Sequence, residues 1–487
     1  MNILWICTDQ QRFDTLGCYG NKYVKTPNID RLAAMGTRFN RAYSQSPVCA
    51  PSRACFLTGR YPRTCRVRQN GQDIPADERL VTKVLAENGY TCGLSGKLHI
   101  SACHPDIGRN TEPRIDDGYD YFRWSHHPSG VSPAHGWTMN EYTMWLESRN
   151  IQYRSENLAE CRYVQSGMEE ENHQVTWCMN CAQEYIESAR AHGKPWLFSV
   201  NVFAPHHPFN PPAEYLERYL KMFDEIPLPN YVPGELDEKP LFQQKDHMGA
   251  YDTPGSMAYD AMTEKDHRYV RAAYWAMIDL IDHQVGRLLD YLEESNQLDD
   301  TMIIFMSDHG ENLGDHGMYL KGPYFYENNI RVPLIIAYPS VIPAGRVSDA
   351  LVELIDLAPT LCDAAGVDIE PGMQGKSLWP LLTGNAPLDV HRESVYCEYY
   401  NANVNHCNPQ AFDTMVCNGN YKLVRVHDET GVVKNLGELY DLQNDPNETV
   451  NLYHQPEYAQ VKSEMLELMC DRMAQTCDPL PVRKAFW

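Results

Sequence analysis

Ser46-Pro47-Val48-Cys49-Ala50-Pro51-Ser52-Arg53-Ala54-Cys55-Phe56-Leu57-Thr58-Gly59-Arg60 is the stretch on which the reading of this chain turns. An irregular polar run leads into Cys49, and an apolar, helix-like segment follows it. Pro51 suits the first turn of a helix, where its missing N–H costs nothing. Cys49 is therefore predicted at or just before a helix N-terminus, where unpaired N–H groups and the macrodipole favour negative charge. Arg53, one turn on, can fold back over the same spot. A thiol, a fixed cation and a helix end then converge on one anion-sized volume. The competing reading is plain packing, since Cys is among the most buried residue types.

Working outward, four strand-like stretches, three of them mostly apolar and the one over 89–95 a turn and strand, each end in polar residues. Asn2–Thr8 leads to Asp9 and Gln10; 89–95 leads to Gly96-Lys97-Leu98-His99; 195–203 leads to His206 and His207; 301–306 leads to Ser307-Asp308-His309. Runs of this kind fit strands covered on both faces, and ligands gather at the carboxyl ends of such strands in open α/β sheets. Amphipathic helices are predicted over 26–36, 76–88 and 266–294. Residues 104–192 read as insertions with one helix near 175–190; His104, Arg123, His126 and His127 are candidate substrate contacts among them. Residues 211–262 read as a meandering loop. Beyond Trp379 the texture changes to short strands (393–399, 413–416, 421–426, 438–442) and a final helix over 457–474.

The chain has 487 residues, enough for a large core, and two unequal domains are expected. Its formal charge of −23 argues against a nucleic-acid surface or attraction to an anionic membrane. An anionic ligand would need a local cationic pocket. No run reaches transmembrane length. Met1–Cys7 reads as a core strand, not a signal peptide, so the expected location is the cytoplasm, with the periplasm the alternative for a chain trimmed of a leader. The 16 cysteines form no paired framework and are expected as reduced thiols, Cys178 and Cys181 included.

Cys49-Ala50-Pro51-Ser52-Arg53, continued by Leu57-Thr58-Gly59-Arg60, resembles the Cys-x-Pro-Ser-Arg signature of the type I sulfatases of the alkaline-phosphatase superfamily. Thr8-Asp9-Gln10-Gln11-Arg12 resembles that family's first metal block, with Gln10 where many relatives carry Asp. Gly96-Lys97-Leu98-His99 resembles its Gly-Lys-Trp-His block. Ala204-Pro205-His206-His207-Pro208-Phe209 resembles Pro-His-x-Pro-Phe, and Ser307-Asp308-His309-Gly310-Glu311-Asn312 resembles the second metal block, with His309 where Asn is common. Lys321-Gly322 extends the match.

The resemblance implies a large, mostly parallel mixed sheet flanked by helices on both faces, over residues 1–380. It also implies a smaller C-terminal α+β domain, an antiparallel sheet beside a helix, over 381–487. It implies sulfate ester hydrolysis, with Cys49 oxidised to formylglycine by a maturation enzyme. Asp9, Gln10, residue 49, Asp308 and His309 would hold one divalent cation, Ca²⁺ in the family, with Mn²⁺ or Mg²⁺ as alternatives. Arg53 and the metal would stabilise the oxyanion, Lys97 and Lys321 would grip the sulfate, His99 would act on the formylglycine hydroxyl, and His206 would protonate the leaving group. A sulfated sugar or small oligosaccharide is the expected substrate. The rival is a phosphonate monoester or phosphodiester hydrolase of the same superfamily; Lys97, His99 and the Pro51-Ser52-Arg53 spelling favour sulfate.

Overall fold

Alternation along the central strands explains the layering. In strand β1 (Asn2–Asp9), Leu4 and Ile6 face one apolar layer while Ile3, Trp5 and Cys7 face the other. Strand β6 (Thr301–Ser307) divides the same way, Ile303 and Phe305 against Met302, Ile304 and Met306. A strand with both faces apolar is stable only between two covering layers. The computed structural model places the helices Pro27–Met35, Gln174–His192 and Glu264–Glu294 on one side of the sheet. Cys49–Thr58, Val81–Glu87 and Leu357–Ala365 lie on the other. All residues are described except 105, 106, 108–110, 129–139, 402–405, 407–409, 429, 434, 435, 486 and 487.

The remaining strands of this sheet are β2 (Thr37–Tyr43), β3 (Thr91–Gly96), β4 (Tyr121–Trp124), β5 (Trp196–Pro205), β7 (Arg331–Ala337) and β8 (Arg346–Glu353). Their order is β4-β3-β5-β1-β6-β7-β2-β8, and only β7 runs against the rest. The expected mixed, mostly parallel sheet is therefore present. Strands β9 (Val395–Tyr400), β10 (Phe412–Cys417), β11 (Tyr421–Val426) and β12 (Gly437–Asp441) form a four-stranded antiparallel sheet, with the Ala459–Gln475 helix against β10 and β11.

Three expectations need correction. Residues 211–262 are not a loop throughout: Ala213–Leu220 and Leu241–Met248 are helices. Each begins directly after a proline, Pro212 and Pro240, so the residues taken as loop markers are helix starts. The 104–192 region holds β4 and the Glu141–Ser148 helix besides the expected one. The 76–88 helix begins only at Val81, because Glu78 turns back to the Pro75 carbonyl. All described cysteines are free thiols, and among the described residues no helix is long and apolar enough to cross a membrane.

A buried cation ties the antiparallel sheet to the segment that follows β6. Lys422 Nζ donates to the Phe325 carbonyl at 2.8 Å and to Glu448 at 2.7 Å, and lies 2.9 Å from Glu327. Removing one partner of a buried charge group strands the others without water. Lys422→Ala is expected to lower unfolding free energy by about 3 kcal/mol in a denaturant titration.

Candidate active site

Asp9 and Asp308 end adjacent parallel strands whose register pairs Thr8 with Ser307, so the two carboxylates emerge side by side. Both are fully buried. The backbone is forced to converge on them. Gln10 takes a left-handed φ of 66°, which turns its N–H onto Asp308 Oδ1 at 3.1 Å. Such a conformation is costly for a residue with a Cβ and persists only where the surroundings fix it. Gly96, at φ 96°, lets β3 approach β5 closely: a Cβ there would lie 2.0 Å from the Asn201 carbonyl oxygen.

Cys49 opens the Cys49–Thr58 helix, as expected from Pro51. Its Sγ lies 2.8 Å from Lys321 Nζ, 3.2 Å from His309 Nε2 and 3.5 Å from Asp9 Oδ1. His309 Nδ1 donates to the Gly310 carbonyl at 2.8 Å, so Nε2 is the nitrogen that faces the thiol. Lys321 Nζ also donates to Gln10 Oε1 at 2.9 Å. Lys97 Nζ donates to Asp9. The chain thus brings Asp9, Gln10, Cys49, Lys97, Asp308, His309 and Lys321 around one volume.

Arg53 is engaged differently from the simple expectation. Its Nε donates to Asp308 at 2.8 Å, one Nη to Asp9 at 3.4 Å and the other to the Lys97 carbonyl at 2.8 Å. It therefore braces both carboxylates and the Lys97 loop at once. His206 and His207 stack with ring centroids 4.2 Å apart, and Phe203 lies beside both His206 and Lys97. His206 Nδ1 donates to the His207 carbonyl at 2.6 Å, leaving Nε2 for chemistry.

Charge pairing sets the protonation states. Burial alone would raise Asp9, but Lys97, Lys321 and Arg53 hold its carboxyl well below the usual range. Burial and Asp9 push Cys49 up; Lys321, Lys97 and His309 prevail and hold the thiol below its ordinary value. Burial, Lys321 and His207 push His206 well below the ordinary imidazole range. Burial, Lys97 and His126 do the same to His99.

Two positioning carboxylates were invisible in the sequence. Glu112 accepts the backbone N–H groups of His99 (2.7 Å), Ile100 (2.8 Å) and Ser101 (3.2 Å), and so freezes the Lys97–His99 loop. Glu311 accepts from the backbone of Leu313 and Leu320 and from the Gln10 side-chain amide. Glu311 lies inside the block that resembles the second metal block, but the resemblance assigned it no role, and Glu112, a lone Glu in a polar loop, carries no signal. Of the candidate substrate contacts, His126 packs edge-on to His99 at 4.4 Å and His127 lies 4.9 Å from Phe203. Arg123 instead pairs with Glu141 and lies over Tyr121. His104 is exposed.

The donor set fits a hard divalent cation: two carboxylates, the Gln10 amide oxygen and one imidazole nitrogen, with residue 49 completing the group. Asp9, Cys49, Asp308 and His309 present ligand atoms within 4.8 Å of one another. Glu311 fixes the Gln10 amide with its NH₂ outward and its oxygen toward the site.

A family model described as Sulfatase matches residues 1–367, and one described as N-sulphoglucosamine sulphohydrolase, C-terminal, matches 314–475. The chain is 30% identical to "Uncharacterized sulfatase YidJ" of Escherichia coli K12, over 98% of this chain and 88% of that protein. It is 27% identical to "N-acetylglucosamine-6-O-sulfatase" of Bacteroides thetaiotaomicron, over 99% and 88%. Among solved structures, the phosphonate monoester hydrolase of Agrobacterium radiobacter superposes with a TM-score of 0.80 at 25% identity, over 98% of this chain and 96% of that one.

Glu311→Gln would place an NH₂ group against the Gln10 NH₂ and turn the Gln10 amide around. It is expected to weaken divalent-cation affinity about 10- to 100-fold, read by calorimetric titration with Ca²⁺ and Mn²⁺ in turn, with little change in melting temperature.

Proposed function

The chain belongs to the sulfatase family of the alkaline-phosphatase superfamily and is a sulfuric ester hydrolase; from that premise we propose that residue 49 acts as formylglycine made from Cys49 and that the substrate is a sulfated sugar or small oligosaccharide. The observation that carries this reading is the position of Cys49: at a helix N-terminus, touching Lys321, His309 and Asp9. A buried thiol so surrounded has no packing role that requires three ionisable partners. The amino-sugar sulfatase among the relatives supports the substrate class.

As formylglycine hydrate, residue 49 would supply two hydroxyls on one carbon, one as nucleophile toward sulfur and one to be deprotonated for sulfate release. Asp9, Gln10, Asp308 and His309 would hold a divalent cation, which would supply Lewis-acid charge. Lys97 and Lys321 bind the sulfate oxygens, where fixed cations help most as charge gathers. Arg53 keeps both aspartates in place and delivers no proton. As the ester S–O bond breaks, His206 Nε2 gives its proton to the departing sugar oxygen. In the free chain, burial, Lys321 and Lys97 are among the causes that keep His206 neutral. A sulfate ester anion between those lysines offsets their charge, and His206 takes up a proton from solvent. His99, neutral for similar reasons, then takes the proton of the second hydroxyl, and sulfate leaves.

The structural likeness to a phosphonate monoester hydrolase supports a second reading, phosphonate or phosphodiester cleavage in the same cavity. Sulfate release from glucosamine 6-sulfate is expected to exceed turnover of a phosphonate monoester; the reverse order would promote the second reading. His206→Ala is expected to lower kcat about 10²- to 10⁴-fold on the sugar sulfate, and far less on nitrophenyl sulfate, whose phenolate leaves without a proton. Equal losses on both would remove His206 as the acid.

A further inference from the structure

A second group of metal-ligating side chains lies beside the catalytic cavity, and the reaction proposed above does not use it as a group. His99, Cys103 and His126 present ligand atoms within 4.8 Å of one another. Their chemistry differs from that of the aspartate site. Two imidazoles and a thiol make a soft, nitrogen- and sulfur-rich set, suited to zinc-class ions and unsuited to Ca²⁺.

The group is built, not a chance meeting of surface side chains. His99 is buried in a left-handed conformation at φ 53°, and its Nδ1 has no hydrogen-bond partner. A buried imidazole nitrogen without a partner is costly unless something fills its lone pair or takes its proton. Glu112 organises both segments that carry the ligands. It accepts three backbone N–H groups from the 99–101 loop, whose continuation bears Cys103, and it also accepts Trp124 Nε1 at 2.9 Å. The Trp124 ring in turn lies nearly parallel to the His126 ring, 6.2 Å away and 11° off. The same carboxylate sits 3.7 Å from Cys103 Sγ. Outer-layer carboxylates of this kind orient the ligands of metal sites. Cys103 is only partly buried, which leaves an ion a way in.

We propose that His99, Cys103 and His126 form a second cation site, for a soft divalent ion of the zinc class, and that loading it shuts off sulfate release. As the ion binds, the Cys103 thiol passes its proton to solvent and a sulfur–metal bond forms. A neutral imidazole bound to metal through one nitrogen carries its proton on the other, whichever nitrogen binds. It then has no lone pair left, so His99 cannot accept a proton from residue 49. The inhibition rests on the role proposed for His99; the site itself does not.

The test uses Co²⁺ as a spectroscopic probe and Zn²⁺ as the inhibitor, both in protein saturated with Ca²⁺. A thiolate-to-cobalt charge-transfer band is expected in the unaltered chain and in Cys49→Ala, and is expected to vanish in Cys103→Ser and in His126→Ala. Absence of the band, or a band lost with Cys49 and kept in Cys103→Ser, would overturn the site. Zn²⁺ is expected to inhibit sulfate release reversibly, with Cys103→Ser at least about tenfold less sensitive and its zinc-free rate close to that of the unaltered chain. A cobalt band that depends on Cys103, combined with zinc-insensitive turnover, would overturn the inhibition and the role of His99 while leaving the site standing.

Discussion

Two buried carboxylates at the ends of neighbouring parallel strands are the constraint on which the rest of this molecule depends. The register of β1 against β6 places Asp9 beside Asp308, both without solvent. Like charges so close, out of water, are tolerable only with compensating cations in hydrogen-bonding contact. Arg53 bonds to both, Lys97 to Asp9, and Lys321 closes the cavity through Gln10 and Cys49. These cations come from the segments that follow β2, β3 and β6, so the topology of the whole sheet serves this balance. The same three cations give a strongly acidic protein, of net charge −23, a place for an anion.

Strain and second-layer carboxylates go together. Gln10 and His99 both hold left-handed backbone conformations, and each is fixed by a buried glutamate one layer back. Glu311 gathers the Gln10 amide and the backbone leading to Lys321; Glu112 gathers the backbone from His99 to Ser101. A strained loop would relax and lose its aim without such anchors. Each glutamate therefore converts local strain into a fixed direction for a functional side chain.

How far the sequence could be read follows from the same physics. β1, β5 and β6 were legible because a strand buried on both faces is a mostly apolar run, and β3 because a turn glycine at Gly89 precedes it. Each was followed at once by its functional residue, so Asp9, Lys97, His206 and Asp308 came with the strands. β2 and β8 were missed because Arg38, Asn40 and Arg41, and then Arg346, Ser348 and Asp349, break the apolar pattern. β4 was missed because it is a four-residue edge strand. Pro212 and Pro240 hid two helices by resembling loop residues. Glu112, Glu311 and the bracing role of Arg53 were out of reach, since what they do depends on contacts between segments far apart in the chain.

The central claim is that this cage exists to make residue 49 a nucleophile that a thiol alone is not. Mass analysis of the peptide spanning residue 49, from protein produced together with a formylglycine-forming maturation enzyme, tests it most directly. The account predicts an aldehyde or its hydrate in place of the thiol, in proportion to sulfate release across preparations. Full activity from protein whose Cys49 remains an unmodified thiol would contradict it.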